Sequence, residues 1–183
     1  TYNHYDGTVA QKSLTITASA QSKTYGTALS LGTTAFTTSG LVNSDTVTGV
    51  TLSSSGAAAT ATVAGSPYTI TPSVAVGSGL GNYTISYSAG ALTVNPKALT
   101  VTGSFTANNK TYDGDADAVI NTNSLTLSGI VSGDSVTLTP VLVFSDKNVG
   151  ISKTVSLTGS SINNSNDSLS LSGAPHAHAK ITA

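Results

Sequence analysis

The chain lacks cysteine, methionine, tryptophan, arginine and glutamate altogether, so every charged side chain other than histidine is a lysine or an aspartate. The absence of cysteine excludes disulfide bonds and thiolate metal sites, and it removes any need for a particular redox compartment. Only 8% of the residues are charged, against about 25% in an average soluble protein. Because the formal net charge is −1, the chain has no basic field to hold nucleic acid or an anionic membrane surface.

Long apolar runs are also missing, and the longest ones are far too short to span a bilayer, so we expect no membrane insertion. What the chain has in abundance is hydroxyl groups, since serine and threonine make up almost a third of it. Secreted proteins of bacterial surfaces often combine this composition with an avoidance of cysteine. The first residue is Thr1, which suggests a processed product or a piece of something longer, and the expected location is extracellular, on a bacterial cell surface.

Apolar residues alternate with serine and threonine in many short segments, among them LTIT at 14–17, YTISY at 83–87 and LTVT at 99–102. Alternation with a period of two predicts strands with one covered face and one hydroxyl-rich wet face. The expected fold is therefore all-β, with small antiparallel domains of the sandwich or β-grasp-like type in an elongated arrangement. Helix is expected only as short turns near residues 28–31 or 121–125.

An internal repeat organises the chain. Residues 12–17 (KSLTIT) return as 97–102 (KALTVT), and SGLVNSDTVT at 39–48 returns as SGIVSGDSVT at 128–137. A unit of roughly 85 to 90 residues is thus present twice, which predicts two β domains at 12–96 and 97–183. Arrays of this kind usually carry load or span distance and seldom perform chemistry.

The first eleven residues precede the first complete unit. Aligned at the same offset as the two opening lysines, they match the end of a unit, and we interpret residues 1–11 as the closing strand of a preceding repeat. An unpaired strand tends to find a sheet edge to join. Tyr2, Tyr5 and Val9 are therefore candidate assembly residues, which pair with this chain or are donated to a neighbouring copy.

Two sets of short motifs resemble known domains and together cover nearly everything from Lys12 to Ala183. The first set resembles the MBG domain of the YGX type and comprises KTYG at 23–26, GLVNSD at 40–45, YTITP at 68–72 and GNYTI at 81–85. The second set resembles the YDG domain and comprises KTYDG at 110–114, GDSVTL at 133–138 and DKNVG at 146–150. The resemblance implies tandem, surface-exposed β modules of large secreted bacterial proteins, including filamentous-haemagglutinin-like adhesins, and it implies no catalytic residue.

The second unit departs from this pattern at two places. Where the first unit has Asn82-Tyr83, the second has Asn166-Asp167, so an aspartate stands where an inward-facing aromatic residue is usual. This change predicts either an incompletely closed core or a local shift of register. Family members also more usually carry hydroxyl residues where this chain has Asp115 and Asp117.

Asp113, Asp115 and Asp117 place three carboxylates at alternate positions, a spacing that calcium-binding loops use to turn oxygens toward one hard cation. The rest of the loop pattern fails, since Ala118 replaces a glycine and Ser124 replaces a bidentate glutamate. We therefore expect a solvated turn whose aspartates cap backbone N–H groups, with a calcium site as the alternative. No other cofactor is expected.

Histidine and tyrosine are the other candidates for chemistry. His176 and His178 share a face if they lie in a strand, but a closed zinc site needs four ligands, so surface histidines are the expectation. Tyr25 and Tyr112 occupy equivalent places in the two units and are expected in the cores. Nucleophilic catalysis is not expected, because the histidines lie at the two ends of the chain and no Gly-x-Ser-x-Gly elbow is present.

These features predict a non-catalytic structural repeat in the stalk or fibre of a bacterial extracellular adhesin. Its partners are expected to be neighbouring repeats or copies of itself, with any host or surface ligand unidentified. One alternative is a self-assembling filament subunit that polymerises by donating residues 1–11. Another is a module that binds glycans or ice.

Overall fold

The computed structural model describes residues 7–183, and the chain divides into two compact units, the first ending at Asn95 and the second comprising Pro96–Ala183. The described residues contain strands and two short 3-10 helices but no α-helix, so the expected all-β class with two small domains is confirmed. Across the same residues, no helix is long and apolar enough to cross a membrane.

The first unit has seven strands and both 3-10 helices. The strands are β1 (Lys12–Ala18), β2 (Gln21–Thr24), β3 (Phe36–Ser39), β4 (Thr46–Ser53), β5 (Tyr68–Ser78), β6 (Tyr83–Ser88) and β7 (Gly90–Asn95). They form a three-stranded sheet in the order β3-β1-β6 and a four-stranded sheet in the order β2-β7-β5-β4. The core uses the apolar face that alternation predicts in β1, where Leu14 and Ile16 are fully buried.

The second unit contains twelve shorter strands. They are β8 (Lys97–Thr102), β9 (Phe105–Ala107), β10 (Lys110–Thr111), β11 (Asp117–Ala118), β12 (Ile120–Asn123), β13 (Thr126–Ser128), β14 (Leu138–Thr139), β15 (Leu142–Phe144), β16 (Gly150–Ser156), β17 (Ser161–Ile162), β18 (Asp167–Ser170) and β19 (Ala177–Thr182). The largest sheets have the orders β10-β19-β16-β15-β11 and β13-β8-β18, and the pairs β12-β9 and β14-β17 complete the unit. One continuous core includes Phe105, Phe144 and Val155.

The sheets are mixed, since most neighbouring strands pair antiparallel, as expected, but some pair in parallel. In the first unit β1 is parallel to β6 and β2 is parallel to β7, and in the second unit β8 is parallel to β18 and β10 to β19. Local alternation reports which face of a strand is buried but not the direction of its neighbour. Parallel neighbours are far apart in the sequence because their connection must cross over the sheet.

The expected helical turns near 28–31 and 121–125 were also misplaced, since the 3-10 helices lie at Ser55–Ala57 and Leu80–Asn82 and residues 121–123 belong to β12. The first helix begins where the Ser54 hydroxyl accepts a hydrogen bond from the Gly56 N–H. The second is preceded by Gly79 in the left-handed region, with φ of 71°. The first start thus depends on a capping hydroxyl and the second on a glycine that adopts positive φ without strain.

Candidate functional site

The two units share one geometry, in which the first strand pairs in parallel with the last strand but one. In the first unit, β1 lies along β6 from the Lys12–Tyr83 pair to the Thr17–Ser88 pair. In the second unit, β8 lies along β18, starting with the Lys97–Asp167 pair. The opening lysine of each unit therefore faces the same position of the closing strand, and Asp167 occupies the place of Tyr83.

Tyr83 closes the core of the first unit. Its ring is buried, and its hydroxyl donates to Asp45 Oδ2 at 2.8 Å and accepts the Val42 N–H at 3.0 Å. Burial, in the first place, raises the pKa of this phenol, so the hydroxyl keeps its proton and the hydrogen bond to Asp45. The tyrosine thus ties the closing strand to the 42–45 turn.

Asp167 takes this inward position in the second unit without a shift of register. It is only 7% exposed, and neither of its carboxylate oxygens has a hydrogen-bond partner. The pKa of Asp167 is raised by burial first and then by the negative charge of Asp134, while Lys97 opposes the shift. The expected alternative of a register shift is therefore not what occurs, and a buried carboxylate remains at the place where the first unit has a phenol.

Lys23 in the first copy of the repeated KTY motif is a buried cation. It is 7% exposed, and its ammonium group donates to the carbonyl oxygens of Thr27 at 2.9 Å and Ala58 at 2.6 Å. Burial lowers its pKa. The lysine therefore joins the turn after β2 to the segment that follows the first 3-10 helix.

Replacing Lys23 by methionine is expected to destabilise the first unit by about 1–3 kcal/mol, because two partly buried hydrogen bonds from the charged ammonium group are lost while the aliphatic packing is kept. Lys12→Met, at an exposed position at the start of β1, is the matched control and should change stability by less than about 0.5 kcal/mol. Urea unfolding of the two variants measures the difference. Equal midpoints for both variants would contradict the role assigned to Lys23.

Lys110, at the equivalent place in the second unit, is paired with carboxylates instead. Its ammonium group lies 2.7 Å from Asp113 Oδ1 and 2.5 Å from Asp115 Oδ1. Hydrogen bonds to these carboxylates raise the pKa of Lys110, and the lysine lowers the pKa of Asp113. As expected for a capped turn, Asp113 Oδ1 accepts the Asp115 N–H and Asp115 Oδ1 accepts the Asp117 N–H.

The candidate calcium ligands are therefore near one another, but a lysine ammonium group already bridges two of them. Asp117 contributes its backbone carbonyl oxygen, at 3.2 Å from Lys110 Nζ. Within residues 7–183, no group of three or more histidine and aspartate side chains is placed to hold a metal ion. Calcium binding at Asp113, Asp115 and Asp117 stays a prediction.

The other residues singled out in the sequence are distributed as follows. Tyr25 is buried as expected, but Tyr112 is 49% exposed, so the expectation of a core position was wrong for the second copy. In the first unit, the turn after Tyr25 is hydrogen-bonded to the 3-10 segment through the Gly26 N–H and Ala59 carbonyl, and the second unit, described throughout, has no such helix.

His176 and His178 do not lie in the core, and their rings meet edge to face at 5.6 Å.

Two of the three candidate assembly residues, Tyr2 and Tyr5, lie outside the described residues. Val9 is 97% exposed, and residues 7–11 run without regular structure into β1. The Gln11 side chain is anchored, because its amide donates to the Gly81 carbonyl at 2.9 Å and accepts from the Thr84 hydroxyl at 3.2 Å. Strand donation by residues 1–11 stays a prediction.

Sequence reasoning noted Asp167 but missed the buried state of Lys23. The signal for Asp167 was its alignment with Tyr83, and the alignment of both units predicts Asp134 as its neighbour, since Asp45 is the partner of Tyr83. For Lys23 no signal was available, because its acceptors are backbone carbonyls, which every residue has.

Comparisons with known proteins agree with the motifs. The family model of the MBG domain (YGX type) matches residues 14–93, and that of the YDG domain matches residues 95–168. No curated protein and no solved structure matches the chain. The resemblance drawn from the motifs is thereby confirmed, and the chain is a tandem of an MBG domain of the YGX type and a YDG domain.

Proposed function

We propose that the two domains are non-catalytic spacer repeats of a bacterial extracellular adhesin and that each of them resists tension along the chain. An MBG domain followed by a YDG domain fits a structural or adhesin-like repeat role. The location on a bacterial surface, the absence of catalysis and the pairing with neighbouring repeats are parts of the proposal.

The observation that supports resistance to tension is that the first and the last strand of each domain are each paired in parallel with an internal strand of that domain. In the MBG domain, β1 enters beside β6, and β7, which leaves the domain, lies parallel to β2. Two parallel strands that are pulled from opposite ends slide along each other, so all of their hydrogen bonds are stretched together. The same strands pulled apart from one end break their bonds one after another, which needs less force.

The YDG domain repeats this arrangement with different strands. Its first strand, β8, pairs in parallel with β18, and its last strand, β19, pairs in parallel with β10. Hydroxyl pairs on the exposed faces add cross-strand hydrogen bonds in both domains, such as Thr15 with Ser86 at 3.1 Å and Thr102 with Thr126 at 2.8 Å. Although their turns differ, both domains thus have first and last strands that are held in parallel pairs, which is what a repeat under tension needs.

Single-molecule pulling in two geometries tests the proposal. Because the chain has no cysteine, engineered cysteines give unique attachment points. Pulling the MBG domain through Lys12→Cys and Asn95→Cys shears β1 against β6, whereas pulling through Lys12→Cys and Asn82→Cys separates the same strands from one end. We expect a clearly higher unfolding force in the first geometry, since forced unfolding follows the barrier along the pulling direction.

The two pulling variants share one attachment point and one fold, so a difference between their unfolding forces is due to the direction of pulling alone. Urea unfolding without force should give both variants the same stability within about 0.5 kcal/mol, because all three positions are exposed. Equal unfolding forces in the two geometries would contradict the proposed role in tension.

A further inference from the structure

The MBG and YDG domains close the same point of their cores with different chemistry. In the MBG domain, the Tyr83 hydroxyl donates a hydrogen bond to Asp45, at the end of the 42–45 turn. In the YDG domain, the corresponding residues are Asp167 in the closing strand and Asp134 in the equivalent turn, which has the same backbone hydrogen bond from Asp134 N–H to Val131 O. A permanent donor is thus replaced by a side chain that donates only when it is protonated.

Asp167 lies where an ionised carboxylate is unfavourable. It is 7% exposed, both of its oxygens lack hydrogen-bond partners among the described residues, and it is near the negative charge of Asp134. The charged groups that act on it are Asp134 from the turn and Lys97 from the neighbouring strand β8. Lys97 favours the ionised form, but its effect is smaller than those of burial and Asp134.

We propose that Asp167 takes up a proton from solvent in mild acid and, while keeping it, donates a hydrogen bond to Asp134, as Tyr83 does to Asp45, so that acid tightens the closing strand of the YDG domain but not of the MBG domain. The proton is the ligand of this site, and its uptake breaks no covalent bond in the protein. The YDG domain is therefore a pH-responsive repeat beside one that is not.

The direction of the effect follows from proton linkage. The pKa of Asp167 is raised above the ordinary aspartate value. At a pH between the ordinary and the raised pKa, Asp167 is therefore protonated in the folded domain but ionised in the unfolded chain. This contribution to stability is complete below the ordinary pKa and is lost as the pH rises through the raised pKa. Asp113 and Asp146 act in the opposite sense, because their pKa values are lowered in the folded domain. Their contributions to stability are lost only when the pH falls below the ordinary aspartate pKa. The two pH windows are therefore separate.

Calorimetry of the complete chain between pH 4.5 and pH 7.5 tests this proposal. In the wild type, we expect the transition of the YDG domain to rise by roughly 4–8 °C on acidification, the usual shift for a change of about 1 kcal/mol in a domain of this size. Asp167→Asn is neutral at every pH and carries an amide donor for Asp134, so it should abolish the rise and be more stable than the wild type at pH 7.5. A YDG transition with the wild-type pH slope in Asp167→Asn would overturn the proposal.

A second measurement remains informative even if Asp167→Asn folds poorly. Hydrogen exchange of the wild type, corrected for the intrinsic pH dependence, should show β8 and β18 better protected at pH 5 than at pH 7.5, with β1 and β6 unchanged as the internal control. Equal protection at the two pH values would overturn the proposal. Calcium chloride at pH 7.5 is the further control, and a calcium-dependent rise of the YDG transition that Asp167→Asn abolishes would show a cation site instead.

Discussion

Replacing Gly40 by alanine is expected to destabilise the MBG domain by about 3 kcal/mol or more, a large effect for a single methyl group. Gly40 follows β3 and has φ of 113°, a conformation that residues with a side chain rarely adopt. A Cβ atom there would also lie 2.3 Å from the Ser13 carbonyl oxygen. Because that oxygen belongs to the backbone of β1, relief of the clash would separate two paired strands.

The repeat itself supplies the matched control for this variant. Gly129 is the equivalent residue of the YDG domain, with a similar φ of 98°, but there an added Cβ atom would lie 3.5 Å from the nearest backbone oxygen, that of Ala98. Gly129→Ala should therefore show only the conformational cost, about 1–2 kcal/mol. Urea unfolding and calorimetry of both variants measure the difference, and equal losses would show that the contact with Ser13 is relieved without cost.

The second large effect is expected at Phe144, in the core of the YDG domain. Phe144 is 3% exposed and packs in the same cluster as Phe105 and Val155, so Phe144→Ala should destabilise this domain by about 3–5 kcal/mol. Small domains are stable by only about 5–15 kcal/mol, which makes this a large share of the total. The calorimetric transition of the YDG domain should fall accordingly, while that of the MBG domain stays in place.

An exposed apolar residue of the same domain provides the comparison for Phe144. Ile151 lies in β16 and is 86% exposed, so Ile151→Ala removes side-chain atoms that are already in water. It should change stability by no more than about 0.5 kcal/mol. A loss similar to that of Phe144→Ala would indicate that Ile151 is covered in solution.

Much of the architecture was open to prediction because it depends on local pattern. Alternation in residues 14–17 indicated which side chains of β1 are buried, and Leu14 and Ile16 are. The repeated motifs were specific enough to identify both domain families. Direction of pairing was not open to prediction, because the register of β1 against β6 joins residues about seventy positions apart, which no local window contains.

The candidate sites also include some features that local sequence predicts and others that only the fold sets. Asp113 and Asp115 were recognisable as turn residues, since their capping partners lie two positions away in the sequence. The different surroundings of Lys23 and Lys110 were not recognisable, because each lysine is the first residue of the same KTY motif. Backbone carbonyls of Thr27 and Ala58 surround one lysine and carboxylates surround the other, and only the fold brings the Ala58 carbonyl to Lys23.

The sequence by itself determined the all-β class, the twofold repeat and the absence of cysteine chemistry, because composition, periodicity and self-similarity are properties of the chain. Tertiary structure decided that the first strand of each domain pairs in parallel with the last strand but one and that Asp167 is buried at the place of Tyr83. The physical reason is that burial and strand direction are properties of distant pairs. The burial that makes Asp167 respond to protons depends on the strand and turn packed around it and not on its neighbours in the chain.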